Sequence, residues 1–197
     1  MLRATQGVNT HRGAVFNLGL LAAGSGYLLH TEGTVNGRRL SALVSDRWGD
    51  AILRQGASLP KTSHGSQVAL RYGVGGAREE AAAGFPHVFE VGLPALLASL
   101  QRSACLDLAA IQCLFHLVAT LPDTNLLYRG GEKGLLFAQT SAREFLDHGG
   151  VHRQGWRAHA IELHLQFIKH RLSPGGSADL LAATLFVYRV QRLAASS

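Results

Sequence analysis

Residues 106–121 read LDLAAIQCLFHLVATL, and their apolar side chains recur at steps of three and four positions. This spacing places one apolar stripe along an α-helix, whereas a half-buried strand would alternate polar and apolar side chains. Alternating runs are absent from the sequence. The helical spacing recurs in residues 38–54, 161–168 and 180–188. The sequence therefore predicts an all-α fold whose apolar helix faces build the core.

Glycine pairs separate the helical segments, at positions 75–76, 130–131, 149–150 and 175–176. Such pairs are typical of helix ends and turns. Ser177 is predicted to cap the start of the last helix, with Asp179 in its first turn. The sequence shows no internal repeat and no linker long enough to divide domains. We expect residues 1–197 to form a single domain, a bundle of about seven helices with glycine-rich polar loops.

Composition restricts the classes of function. Hydrophobic residues make up 47% of the chain, and 19 Lys and Arg against 13 Asp and Glu leave a net charge of +6. The first number is typical of a chain with a buried core, and the second favours an anionic ligand or partner. No apolar run approaches the roughly 20 residues of a membrane span, and the first residues resemble no export signal. We therefore expect a cytoplasmic protein.

Several familiar site motifs are missing from the sequence. Residues 24–26 read Gly-Ser-Gly without the third glycine of a dinucleotide fingerprint, and no Gly-Lys-Ser or Gly-Lys-Thr of a P-loop occurs. His159 and His164 stand about 140° apart around a helix, so they cannot share a metal as i, i+4 pairs do. Cys105 and Cys113 lie roughly 12 Å apart along a helix, too far for a disulfide. Both cysteines are predicted to be small core residues.

Four short polar segments combine glycine, an adjacent helix start and charged side chains, at residues 7–13, 75–86, 123–131 and 173–179. A helical bundle does not require such segments. Free amides at helix starts suit phosphate oxygens. Three arginines would contribute to the same contacts: Arg12, Arg78 and Arg129. Three carboxylates suit a Mg²⁺ ion that bridges those phosphates: Glu80, Asp123 and Asp179.

Helix capping explains the same residue types without any ligand. Thr10 and Ser177 would be N-caps, glycines would follow helix ends, and the charged side chains would complement helix dipoles. The occurrence of four similar segments favours a common site. Periodicity and composition alone lead to an all-α protein that binds an anionic, phosphorylated ligand.

The exact order of residues in the four segments identifies a family more specifically than their composition does. They read GVNTHRGAVF at 7–16, GAREEA and GFP within 76–86, DTN and RGG within 123–131, and SPGGSADLLA at 173–182. In this order they resemble the motifs of the triphosphoribosyl-dephospho-CoA synthase family, nearly from end to end. The LYRGG form ending at Gly131, with the later GGV and GW, looks most like the malonate decarboxylase branch. The citrate lyase branch is the close second.

The resemblance implies an all-helical transferase that uses ATP and 3′-dephospho-CoA. Such an enzyme releases adenine and joins C1″ of the triphosphoribosyl group to the 2′-hydroxyl of the dephospho-CoA ribose. The product is the precursor of the prosthetic group of an acyl carrier subunit. The resemblance also implies Mg²⁺ with the ATP, and a second transferase that loads the group onto the carrier protein.

The chemistry suggests roles for individual residues. Displacing adenine needs stabilisation of an oxocarbenium-like centre and a base for the attacking hydroxyl. Asp123 is the first candidate for a catalytic or metal-bridging carboxylate, followed by Glu80 and Asp179; the same three are the candidate Mg²⁺ ligands. Candidate substrate-binding residues are Asn9, Thr10, His11, Arg12, Arg78, Asn125, Arg129, Ser173, Gly175, Gly176 and Ser177.

Two departures from the family pattern affect these expectations. Family chains carry an additional N-terminal part, so this chain resembles their C-terminal portion, and helices missing from it would expose apolar surface that drives self-association. Glu79 stands where the family usually has glycine. This extra carboxylate would either disturb metal or phosphate binding or face solvent.

Three other functions remain open on the sequence. A non-catalytic module that binds a nucleotide or dephospho-CoA would bind ligand without releasing adenine. A helical nucleic-acid binder is consistent with the charge, but aromatic residues are only 7% and no continuous Lys/Arg stripe forms. A magnesium-dependent N-glycosidase would share the chemistry and differ only in its acceptor. We expect no nucleic acid and no membrane as partner.

Overall fold

A computed structural model describes residues 11–58 and 64–195. Over these residues the chain forms nine α-helices, a π-helical turn at His87–Gly92 and a 3₁₀ turn at Gly150–His152, and no β-strand. The helices are α1 (Arg12–Glu32), α2 (Gly37–Ser58), α3 (His64–Tyr72), α4 (Ala77–Ala82), α5 (Leu93–Ser103), α6 (Leu106–Thr120), α7 (Thr124–Asp147), α8 (Trp156–Lys169) and α9 (Gly175–Ala195).

The all-α prediction is confirmed, but the count of about seven helices is too low. Helices α3 and α4 have nine and six residues. Segments this short contain too few turns for a recurring apolar stripe to stand out from the sequence. Both lie near the glycine pair at 75–76, which the sequence analysis assigned to a helix end.

The segment at residues 106–121 lies at the centre of the core, as its stripe predicts. Helix α6 packs against α5, α7 and α9. Cys113 and Leu117 are completely buried. They belong to a cluster that also takes residues from α1, α2, the π-helical turn and α9, including Leu21, Leu40, Val44, Phe85, Val88, Leu96 and Val187. The central helix thus fixes the positions of its neighbours α5, α7 and α9.

The stripe on α8 faces away from the core, contrary to its periodicity. Ile161, Leu165 and Ile168 are 54%, 59% and 58% exposed, whereas Leu163 is 8% exposed. Leu163 shares a small cluster with Phe145 of α7 and with Val151 of the 3₁₀ turn. Periodicity identified the helix but chose the wrong face, because α8 packs on a neighbour through the other side.

The glycines at 130–131 break α7 into two helical parts, in agreement with the predicted stop or turn. Helix α7 continues to Asp147, with Gly131 at φ 61° and ψ −161° inside it. A methyl group at Gly130 would stand 2.6 Å from Leu172 Cδ2, and one at Gly134 would stand 2.9 Å from it. These two glycines let the segment before α9 pack closely on α7.

Cys105 and Cys113 are both free thiols, as their spacing predicts. Burial raises the pKa of the Cys113 thiol to about 12, so this side chain acts as a small apolar group in the core. Among the described helices, none alone has the length and hydropathy of a membrane span. One bent pair, Leu106–Thr120 with Thr124–His152 across a 59° angle, meets those criteria together.

Candidate functional site

Asp123 joins the start of α7 to the start of α9. Its Oδ1 accepts hydrogen bonds from the amides of Asn125 at 2.9 Å and Leu126 at 3.4 Å. Its Oδ2 accepts from the amide of Ser177 at 2.8 Å and from the Ser177 hydroxyl at 3.0 Å. The side chain is 1% exposed. A carboxylate offers about four lone-pair directions, and here four donors use them.

Ser177 does not cap α9, contrary to the prediction. The helix begins two residues earlier, at Gly175, so Ser177 lies inside its first turn with its hydroxyl turned to Asp123. A methyl group at Gly176 would stand 3.1 Å from Asp123 Oδ1. The same shift in the helix start removes Asp179 from the first turn. The local Ser-Pro-Gly-Gly pattern located the helix start only to within two residues.

Asp179 lies against the start of α1. The amide of Ala14 donates to its carboxylate, and Gly13 is so close to Asp179 Oδ2 that no methyl group fits between them. His11 is the N-cap residue of α1, but its side chain makes no capping hydrogen bond. Asp179 therefore supplies from α9 the cap that α1 does not supply itself. Asn9 and Thr10, the latter a predicted N-cap, lie outside the described residues.

The carboxyl of Asp179 has an unusual proton affinity. Burial, and secondly the negative charge of Asp123, raise its pKa to about 6, while the charge of His11 and the Ala14 amide act in the opposite direction. The side chain is half-buried rather than enclosed. An ionised carboxylate in this position is poorly stabilised by its surroundings and is available to a ligand.

Three of the four predicted segments meet in one place, which we call the helix-start cluster. A methyl group at Gly175 would stand 2.5 Å from Asn125 Nδ2, so the first residue of α9 lies against the first turn of α7. Ser173, half-buried, lies in the turn just before α9. The cluster consists of His11, Gly13, Asp123, Asn125, Gly175, Gly176, Ser177 and Asp179.

The segment at 75–86 approaches this cluster through its first residues only. A methyl group at Gly76 would stand 3.7 Å from Thr124 Cγ2. Glu79 accepts a hydrogen bond from the Gly76 amide at 2.8 Å and is exposed. Its carboxylate caps α4 and faces solvent, which is one of the two outcomes considered for this departure from the family pattern.

Glu80 is bonded to the following turn. Its two oxygens accept from the His87 amide and bond His87 Nδ1, each at 2.8 Å. The hydrogen bond to Glu80 raises the pKa of His87. Phe85, between them, is fully buried at φ 61°. Glu80 therefore fastens α4 to the π-helical turn.

The three predicted Mg²⁺ ligands do not form a metal centre. Over the ranges that the structure describes, no three His, Cys, Asp or Glu side chains are grouped to hold a metal ion. The oxygens of Asp123 are used by four donors, and those of Glu80 by His87. Of the three, only Asp179 is left as a carboxylate with an open side.

The predicted arginines are spread over different surfaces. Arg12 is exposed in the first turn of α1, beside the helix-start cluster. Arg78 lies against α2, where a methyl group at Gly56 would stand 3.0 Å from its Cδ. Arg129 is exposed on α7, one residue before Gly130. Of the three arginines, Arg12 alone adjoins the helix-start cluster along the chain, since it directly precedes Gly13.

Comparison with known proteins identifies a matching family. The family model for CitG, described as ATP:dephospho-CoA triphosphoribosyl transferase, matches residues 1–197. The chain belongs to this family.

Three relatives illustrate the range of similarity within the triphosphoribosyl transferase family. A probable 2-(5″-triphosphoribosyl)-3′-dephosphocoenzyme-A synthase of Acinetobacter calcoaceticus is 38% identical over 191 residues, covering 97% of this chain and 65% of that protein. The protein named likewise in Pseudomonas fluorescens Pf-5 is 45% identical over 197 residues, covering 97% and 64%. The 2-(5″-triphosphoribosyl)-3′-dephosphocoenzyme-A synthase of Klebsiella pneumoniae is 40% identical over 189 residues, covering 95% and 63%.

The chain thus spans just under two-thirds of the length of these triphosphoribosyl transferase relatives. No solved structure matches it.

Gly13 lies within the family motif at residues 7–16 but is not a site residue that the sequence predicted. Its role is spatial, because Asp179 occupies the volume that a methyl group would need. A signal was present, since glycine is a poor helix former and still stands in the first turn of α1. The Ala14 amide carries no such signal, because any residue provides one.

Proposed function

We propose that the chain transfers the triphosphoribosyl group of ATP to the 2′-hydroxyl of 3′-dephospho-CoA and releases adenine. One observation carries this proposal: in a chain of this family, the starts of α1, α7 and α9 meet around Asp179. Segments more than a hundred residues apart in sequence form that cluster. The names of the relatives, synthases of 2-(5″-triphosphoribosyl)-3′-dephosphocoenzyme-A, support the same reaction.

The triphosphate would bind at the helix starts. The N-terminus of an α-helix carries partial positive charge, which favours phosphate oxygens. His11 and Arg12 add side-chain charge at the start of α1, and Arg129 lies further along α7. Gly175 and Gly176 bring the start of α9 close to α7, so two helix starts face a common region. The net charge of +6 also favours binding of the anionic triphosphate.

We assign the proton transfer to Asp179. In the reaction the bond between C1″ and the adenine nitrogen breaks, and the bond between C1″ and the 2′-oxygen forms. The proton of the 2′-hydroxyl goes to Asp179, the departing adenine takes up one proton from solvent, and Asp179 then returns its proton to solvent. A pKa of about 6 leaves Asp179 mostly ionised at neutral pH and close to the optimum for a general base.

Asp123 receives a different role from the one its motif suggested. Its four hydrogen bonds leave it no lone pair for a substrate proton or a metal. Its charge acts on Asp179, whose pKa it raises. We therefore propose that Asp123 is a positioning residue that holds α7 and α9 together.

Mg²⁺ would enter with the triphosphate. Mg²⁺ commonly binds one or two carboxylates together with substrate phosphates and water. The described residues do not fit a metal centre made by the protein alone, since no group of three ligands exists among them. We assign no step of the reaction to the ion.

The product would serve a carrier protein. A second transferase would load the group onto the acyl carrier subunit of a decarboxylase or lyase. The LYRGG form ending at Gly131 favours malonate decarboxylase over citrate lyase. Loading assays with the two carrier proteins would separate these targets.

Release of adenine tests the proposed reaction. The purified chain is incubated with ATP, Mg²⁺ and 3′-dephospho-CoA, and adenine is measured by chromatography. We expect release that depends on dephospho-CoA, and loss of release in Asp179→Asn. Release without the acceptor would instead identify an N-glycosidase and contradict the transferase.

A second candidate function follows from the coverage of the relatives. The chain matches 63–65% of their length. The second candidate is therefore a module that binds substrate without converting it. Such a module would bind dephospho-CoA and release no adenine. A longer protein that covers the full length of the relatives, assayed in parallel, would then release adenine where this chain does not.

A further inference from the structure

A cavity of about 280 Å³ lies between α3 and α7, outside the helix-start cluster. Its polar lining comes from Gln67, Arg71 and Tyr72 of α3 and from Tyr128 of α7. Leu127, 3% exposed, closes the α7 side. The volume lies just below the roughly 300–1,000 Å³ of small-molecule pockets. It therefore suits one ring system of a ligand, with the rest of the ligand outside.

The backbone of α7 is broken where it borders the cavity. Gly131 has φ 61° and ψ −161°, a combination that only glycine adopts readily. A methyl group there would stand 3.4 Å from Tyr72 Oη. Backbone outliers of this kind persist when surrounding contacts enforce them, and they concentrate at functional sites. The break is thus part of the wall of the cavity rather than a helix end.

The lining suits a flat, electron-rich heterocycle. Tyr72 and Tyr128 contribute aromatic side chains to the lining, and the Arg71 guanidinium lies over the Tyr72 ring at 5.1 Å. Stacking on aromatic rings and on guanidinium planes is how proteins hold nucleobases. The amide of Gln67 can both donate to and accept from a base edge. Among the described residues that line the cavity, none is a carboxylate.

The cavity is within reach of the helix-start cluster. Leu127 and Tyr128 follow Asp123 by four and five residues, which is about 6–8 Å along a helix axis. On the other side, residues 73–76 lead from the end of α3 to Gly76, which lies next to Thr124. A nucleotide with its base in the cavity can extend its phosphates toward the starts of α7 and α9.

We propose that the cavity between α3 and α7 binds the adenine ring of a substrate nucleotide. The proposal rests on the proposed function for the identity of that nucleotide, since both ATP and 3′-dephospho-CoA carry adenine. It adds Arg71, Tyr72 and Tyr128 to the substrate-binding residues, none of which was a candidate from the sequence.

Equilibrium binding to the full 197-residue chain tests this assignment without measuring turnover. Titration calorimetry would compare ATP, 3′-dephospho-CoA and inorganic tripolyphosphate, which has no base. The variants are Tyr128→Leu and Arg71→Gln. The matched control is Tyr27→Leu, because Tyr27 of α1 also lies under an arginine, Arg47, at 4.8 Å.

We expect each cavity variant to lower the affinity for at least one adenine-bearing ligand by about tenfold, the magnitude typical of a lost base–aromatic contact. Tripolyphosphate binding should stay unchanged, and Tyr27→Leu should bind every ligand as the parent does. Weaker binding of ATP alone assigns the cavity to the base that leaves, and weaker binding of dephospho-CoA alone assigns it to the acceptor.

Unchanged affinity for both ligands in Tyr128→Leu and Arg71→Gln would overturn the proposal. It would also be overturned if these variants weakened tripolyphosphate binding as much as they weakened binding of the adenine-bearing ligands. Circular dichroism of each variant verifies that it is folded. If the parent chain releases adenine while these affinities are unchanged, the transferase stands and the cavity assignment fails. If it releases none while Tyr128→Leu weakens ATP binding, the assignment stands and the transferase fails.

Discussion

The amide and the hydroxyl of Ser177 both donate to Oδ2 of Asp123, a residue 54 positions earlier in the chain, at 2.8 and 3.0 Å. The other oxygen, Oδ1, caps α7. One buried carboxylate thus satisfies donors at the starts of two helices, where amides would otherwise lack partners. This arrangement makes Asp123 a structural link between α7 and α9, and the proposed function therefore assigns the proton transfer to Asp179.

Asp123→Asn should lower both stability and turnover. From the motif alone one would expect this change to lower turnover far more than stability. The structure changes that expectation, because an amide group cannot accept from donors on both of its terminal atoms. We expect a loss of about 2–4 kcal/mol in the free energy of unfolding, measured by urea denaturation.

Ser177→Ala is the milder control for the hydrogen bonds between Asp123 and Ser177. It removes only the hydroxyl donor and should cost about 1 kcal/mol. An Asp123→Asn protein with the parent's urea midpoint and no adenine release would return Asp123 to the catalytic role.

Asp179→Asn should abolish most adenine release and stabilise the fold above pH 6. The pKa of Asp179 is raised from 3.8 to about 6, so the folded protein holds this proton more tightly than the unfolded chain. The ionised group therefore costs stability, an effect absent below about pH 4 and complete above the raised pKa. Allowing for solvent screening of this half-buried group, the gain at pH 8 is about 1 kcal/mol.

Thermal melts of the parent and Asp179→Asn at pH 4 and pH 8 measure this difference. The two curves should separate at pH 8 and approach each other at pH 4. A variant that is less stable than the parent at pH 8 would show that the Ala14 hydrogen bond outweighs the burial of charge.

Gly13→Ala should lower adenine release at least tenfold with a stability change under about 1 kcal/mol. The new methyl group would occupy the position of Asp179 Oδ2, so the carboxylate must rotate away from the start of α1. A displaced catalytic group costs rate more than stability.

The control for this change is Gly19→Ala, on the same helix. No atom lies within 4 Å of a methyl group at Gly19. Its rate of adenine release should equal that of the parent, and its stability should rise by up to about 1 kcal/mol from helix propensity. If Gly13→Ala also keeps full activity, the carboxylate of Asp179 is not needed at that position.

The orientation of α8 can be checked by two truncations on one helix. Leu163→Ala should cost about 2–4 kcal/mol, because Leu163 is 8% exposed and packs near Phe145. Leu165→Ala should change stability by less than about 0.5 kcal/mol, because Leu165 is 59% exposed. The reverse order, measured by urea denaturation, would restore the face that periodicity predicts.

Sequence patterns worked well where local spacing decides the structure. The stripe of α6 places Cys113 and Leu117 in the core, and both are fully buried. The same reasoning failed for Ile161, because an apolar stripe shows that a helix has a face but does not show which neighbour meets it. The glycine pair that ends at Gly131 predicted a stop or turn, and the structure has a break in α7 there.

The sequence by itself determined the helical class, the four polar segments, the free cysteines and the resemblance to the triphosphoribosyl transferases. Each of these depends on residue type and on spacing along the chain. Only the tertiary structure decided that Asp179 rather than Asp123 is the open carboxylate, and that α3 faces the break in α7. The reason is physical: the hydrogen bonds that use the oxygens of Asp123 include two from Ser177, 54 residues away, and no local pattern specifies a contact between residues so far apart.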